Sequence, residues 1–309
     1  KLNLASLKDV FGDMTLSNLL IEELDLSQTN FNGNTLTLQC AQLNKIVGPE
    51  TFNGSLLLCP TNCRLTEFTL EGISNIQGDF QCINYFYVKE FVMPFIRVAG
   101  DMTIALNSGS VNTAAEIEFP KLQEIGGTLT LGTNRNANNI TFPLLKKILG
   151  SCSVTTYKLK NDIEFTNLES IGTDGADAQI KFEIEATNIL CPKLKTINGK
   201  FDIATSSFMF DMEVNKVSYP NVESISENLS ITCPYSDFGS NGILSIDFSG
   251  LKSAKGISIS GQGDVTDFSS FKYLFENNVL TGESQWSVKE CGYNPTFQEM
   301  KDGKYKLAE

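Results

Sequence analysis

The side chains that could carry chemistry in this chain are thiols and carboxylates, because histidine is absent. Without an imidazole, the commonest general base, the commonest metal ligand and the neutral-pH switch are all missing. The three arginines, Arg64, Arg97 and Arg135, are scattered rather than gathered beside acids. Asp174-Gly-Ala-Asp177 and Asp264-Val-Thr-Asp267 place carboxylates close in sequence, a spacing open to acid–base work or weak calcium binding. Aspartates in such turn-rich stretches ordinarily cap turns, which is the reading preferred here. Of the eight cysteines, Cys59 and Cys63 flank Pro-Thr-Asn, a loop short enough for a local disulfide. No Cys-x-x-Cys pair offers a zinc site, and no phosphate-binding glycine loop, nucleophile elbow or complete calcium loop occurs. A protein without catalytic residues or cofactor is therefore expected.

Two aromatic clusters are the remaining candidates for contact with a partner. Tyr85-Phe-Tyr87 and Phe208-Met-Phe210, followed by Met212, put large residues at alternating positions. They either pack beneath a loop or, if exposed, form a patch of Tyr85, Tyr87, Phe208, Phe210 and Met212 suited to protein or glycan. A net charge of −12 and a pI near 4.6 repel phosphate backbones, so nucleic acid is not an expected partner. No apolar run reaches the length needed to span a bilayer as a helix.

The elements that must position these residues come from an internal repeat. Ile117-Glu-Phe-Pro-Lys-Leu-Gln-Glu-Ile-Gly-Gly-Thr-Leu-Thr-Leu131 recurs from Ile140, from Ile163 and from Ile189, with weaker copies on both sides. Its apolar column runs through Leu7, Leu43, Ile73, Phe95, Leu122, Leu145, Leu168, Leu194, Val222 and Leu251, at intervals of 22 to 36 residues. A glycine column follows at Gly12, Gly48, Gly78, Gly100, Gly127, Gly150, Gly199 and Gly256, read as tight turns or positive φ before a strand. Alternations such as Thr128-Leu-Thr-Leu131 and Lys200-Phe-Asp-Ile203 then give strands with one buried face. The expected fold is a mainly β, right-handed solenoid of about ten coils, each burying its neighbour's apolar edge. Cys40 and Cys191 fall in the column of Phe119, Phe142 and Phe165, and Cys82 and Cys152 in those of Leu131 and Leu129. All four are expected inside as small hydrophobes.

The motif Phe-Pro-x-Leu-x-x-Ile-x-Gly-x-Leu-x-Leu resembles that of receptor L-domains, the leucine-rich β-solenoids of cell-surface proteins. Ordinary leucine-rich repeats are the nearest alternative, through Leu129-Thr-Leu-Gly-Thr-Asn134. The Tyr293-Asn-Pro-Thr296 ending also resembles surface proteins of Bacteroidota. The resemblance implies a secreted or cell-surface binding and scaffold protein for a protein or glycan. The alternatives are a carbohydrate-active β-helix enzyme using aspartates and a structural envelope protein.

Residues 1–267 are read as the solenoid and 268–309 as a capping segment. Phe268, Phe271, Leu274 and Phe275 have helical spacing after Asp267, a candidate N-cap. A second helix is expected from Asn294 as N-cap, with Pro295 at its first position and Gly303 as its stop. A cover for the first coil, with a leader or anchor, is expected upstream of Lys1.

Overall fold

The computed structural model describes residues 2–4, 6–40, 42–58, 68–83, 90–106, 115–133, 137–156, 162–174, 178–184, 188–205, 216–233, 245–263 and 265–308. Tyr85, Tyr87, Phe208, Phe210, Met212, Cys59, Cys63, Asp177 and Asp264 lie outside them. The described residues are mainly β, 46% strand and 7% helix, and wind into a parallel β-solenoid.

Each full turn visits three faces in a fixed order. Leu129–Thr133 lies on a long face, Ala137–Thr141 on a side face and Lys147–Ile148 on a narrow face, after which Cys152–Thr156 returns to the long face. Alternation decides which residues point inward, since successive side chains of a strand leave opposite sides. Along the long face Leu129 stands opposite Cys152 and Leu131 opposite Val154, all buried, while Thr130 and Ser153 point outward. The narrow face stacks Ile125, Ile148 and Ile171 in register. At the corner between side and narrow faces, the rings of Phe119, Phe142 and Phe165 stack 4.9 Å apart, almost parallel.

The narrow face carries eight strands joined by seven passages of the chain, so the solenoid has about seven turns rather than ten. Beyond that ladder the described residues of the narrow face pair through isolated bridges, Asp9 with Asn30 and Ser224 with Ser253. The Leu43 repeat is misregistered: it precedes Lys45–Val47 of the side face, whereas Leu122 and Leu145 precede narrow-face strands. Cys40 therefore leaves the phenylalanine column, although it is buried. The confusion has a local cause, because Leu43 N–H donates to Cys40 O as Leu122 N–H donates to Phe119 O, both at 3.3 Å.

The glycine column also has a different member and a different reason. Gly54, Gly78, Gly100, Gly127 and Gly150 stack, and from Gly78 onward each N–H donates to the glycine carbonyl of the coil before at 2.9–3.0 Å. None has positive φ. What excludes a side chain is proximity: a Cβ on Gly150 would lie 2.6 Å from Gly127 C. Gly48 instead packs against Gly72, and Gly12 has open space around it.

At the C-terminal end, Ser269–Phe271 and Lys272–Glu276 form a 3-10 and an α turn, and Asp267 Oδ1 accepts from Ser269 N–H at 2.7 Å. The last helix, Phe297–Lys301, is capped by Thr296 rather than Asn294, with a reciprocal box between Thr296 and Glu299. Asn294 instead braces Cys291, accepting from its N–H at 3.0 Å and donating to its carbonyl at 2.8 Å. Gly303, at φ +82°, ends the helix. Between these segments Trp286–Cys291 adds the last strand of the long face.

Candidate binding groove

The side face is built by a hydrogen-bond series at its edge with the ring column. Met93, Phe119, Phe142 and Phe165 N–H donate in turn to Glu118, Thr141, Glu164 and Leu190 carbonyls of the following coils, at 2.9–3.0 Å. The next donor in register is Cys191, and among the described residues its N–H has no such partner. The series resumes one coil later, where Tyr219 N–H donates to Asp247 O at 2.8 Å. The sheet is interrupted at the same point: its five-stranded ladder ends on Ile189–Leu190, and a two-stranded ladder begins with Lys216–Ser218.

Side-chain volume explains the interruption. Cys191 stands where the two preceding coils have Phe142 and Phe165, so a ring is missing from the stack. Tyr219, the next member, leans inward, its ring 5.5 Å from Phe201 and 6.0 Å from Phe182. Its buried hydroxyl donates to Ile189 O at 3.1 Å. By the register of the preceding pair, that carbonyl faces the following coil, so a side chain stands in for a backbone rung. Asn221 Nδ2 donates to Pro192 O at 2.8 Å and keeps the two coils together at the corner.

What remains is a groove of about 400 Å³ between the coils. Ile189, Cys191, Val217 and Tyr219 form its apolar floor, and Leu190 and Lys216 stand exposed at its lips. The interruption between Thr69–Glu71 and Glu90–Val92 has a different filling, since Phe68 and Phe91 stack across it with centroids 6.4 Å apart.

The thiols and the phenol at the groove floor are not equipped as nucleophiles. Burial pushes the Cys191 thiol well above its usual range, and the neighbouring Cys152 thiol adds to the rise. Cys152 is itself pushed up to about 12 by burial. Burial, then the two thiols, likewise raise the Tyr219 phenol. All three groups are protonated at neutral pH, and the thiolate is the nucleophilic form of cysteine.

Aspartates elsewhere brace the coils. Asp79 Oδ1 accepts from Asp101 N–H at 2.8 Å, and Asp101 Oδ1 accepts from Thr128 N–H at 2.7 Å. Among the described residues no group of three or more His, Cys, Asp or Glu side chains is placed to hold a metal ion. Among them, too, no helix is long and apolar enough to cross a membrane.

Sequence reasoning placed Cys191 in the ring column but did not single out the groove. The available signal was a thiol in a stack of phenylalanines, a loss of volume that no neighbour in sequence restores. No family model, curated protein or solved structure matches the chain.

Proposed function

We propose that this protein is a non-catalytic binding and scaffold protein of the L-domain-like kind, displayed outside the cell, that contacts a protein or glycan partner through the groove beside Cys191. One observation carries the reading: of the two interruptions of the side-face ladder among the described residues, the one after Ile189–Leu190 is left as a groove over an apolar floor. An uninterrupted solenoid covers its backbone donors and acceptors with its own next coil. Here a lining of apolar side chains with exposed polar groups at the rim has the make-up of a ligand site. Support for the extracellular setting comes from the repeat motif. Peptide and glycan arrays, run beside a polysaccharide-degradation assay, test the reading on the wild type and on Cys191→Phe, which restores the missing ring. Saturable binding lost in Cys191→Phe is the expected result; turnover abolished by substituting an aspartate would overturn it.

A further inference from the structure

Resting on that reading, we infer that the groove's ligand is an extended peptide segment that enters as an added parallel strand between Ile189–Leu190 and Lys216–Ser218, joining the five-stranded and two-stranded ladders of the side face. The inference stands on the juxtaposition of two parallel strand edges across one apolar cleft. A glycan has hydroxyls to offer such a cleft. A peptide backbone has alternating donors and acceptors at the period of the walls, the pattern by which exposed sheet edges recruit strands. Cys191 N–H points to where the following coil's carbonyl stands in neighbouring turns, and an incoming carbonyl would meet it. Ile189 O has a second lone pair beside the one used by Tyr219, open to an incoming N–H.

The walls also fix the side-chain pattern. In parallel register the positions beside Ile189 and Val217, and beside Cys191 and Tyr219, point into the apolar floor. The position beside Asn188 and Lys216 points outward next to an exposed ammonium, which favours an acidic residue. The segment therefore reads acidic, apolar, any, aromatic, with the aromatic ring filling the place Cys191 leaves empty. The chain's own side-face strands already have this form at Glu116-Ile-Glu-Phe119 and Asp162-Ile-Glu-Phe165. A partner protein with an exposed extended segment of this chemistry is the inferred ligand.

The test uses a fluorescent synthetic peptide with the sequence of Asp162–Asn167, titrated by anisotropy into the full chain. Comparators are a scrambled peptide and two peptides N-methylated at the residues corresponding to Glu164 and Phe165, whose N–H groups would face opposite walls. Saturable binding is expected, at least tenfold weaker for the scrambled and both N-methylated peptides and for Cys191→Phe. Lys216→Glu, a surface change that leaves the core intact, should weaken binding severalfold and recover with a peptide carrying lysine in place of the aspartate. N-methylated peptides that bind as well as the parent would overturn strand pairing. Equal binding to Cys191→Phe and Lys216→Glu would place the site elsewhere and overturn the inference. A dimer in light scattering that Cys191→Phe dissociates would replace the separate partner by a second copy. A glycan bound in a Cys191-dependent way, with no peptide signal, would overturn the strand while leaving the binding reading standing; binding of neither class would remove both.

Discussion

At the scale of single residues, the groove is a consequence of one volume change, and the same change sets the titration behaviour of its floor. Cys152, Cys191 and Tyr219 are buried and raised by desolvation. A raised folded-state value means the folded chain holds its proton where the unfolded chain releases it. The contribution of such a group is whole below the unfolded value, about 8.5 for cysteine, and is lost as pH climbs towards the folded one. Stability should thus decline from about pH 9 upward, and Cys152→Val should flatten that decline in urea titrations between pH 8 and 11. An unchanged slope would mean that the thiols are not responsible. Both thiols should resist a maleimide in native buffer and react after unfolding; rapid labelling of both in the native protein would contradict their burial. The inward position of Cys191 was legible because repeat columns report which side a residue faces. The groove was not, because it depends on how Tyr219 rearranges beside the missing ring. Leu145, fully buried three residues after Phe142, tests the packing more simply. Leu145→Ala should cost about 2–5 kcal/mol in chemical denaturation, the range for a core leucine whose cavity does not collapse.

At the scale of elements, the strands were legible from their alternation and the turns between them less so. Columns built on strongly alternating copies, such as Leu122, Leu145 and Leu168, agree in register across coils. The Leu43 copy went astray because the bond from Leu43 N–H to Cys40 O imitates the one from Leu122 N–H to Phe119 O, and such a bond alone does not say which face follows it. Helix starts show the same weakness: Asn294 and Thr296 are both good caps, and the choice falls to Thr296 because only it has Glu299 three residues on to complete the box. Stacking of backbone on backbone explains the glycines, and it separates two that look alike in sequence. A Cβ on Gly127 would meet Asp101 N and Gly100 C at 2.8 Å, whereas Gly132 has nothing within 4 Å. Gly127→Ala should therefore destabilise by about 1–3 kcal/mol, as overpacking does. Gly132→Ala should stay within about 0.5 kcal/mol of the wild type. Equal melting temperatures for the two variants would remove the close-stacking account.

At the scale of the whole molecule, a stack whose coils touch only their neighbours is held together locally, so its stability need not be uniform along the axis. The C-terminal end carries its own closure. Trp286 stands in register with Ile257, the rings of Phe268, Phe271 and Phe275 surround it at 5.1–6.1 Å, and its Nε1–H donates to Pro295 O at 2.9 Å. Phe271 continues the aromatic contact onto Phe248 of the last coils, 6.0 Å away. The closure is thus joined to the stack through one strand, one ring contact and two side-chain hydrogen bonds, from Ser270 Oγ to Ile246 O and from Gln285 Nε2 to Lys255 O, while the coils within are paired on several faces. Trp286 is the only tryptophan, which makes its fluorescence a reporter of this end alone. Far-UV circular dichroism reports the strands of every coil. In urea the fluorescence transition is expected at lower denaturant than the dichroism transition, because an end unit gives up one interface where an internal coil must give up two. Removing residues 264–309 should then bare Ile257 and Ile259 on an unpaired strand edge and shift the chain to larger species in light scattering. Superimposable transitions in the intact chain, together with a monomeric truncation, would instead make the solenoid and its closure one cooperative unit whose last coil needs no cover.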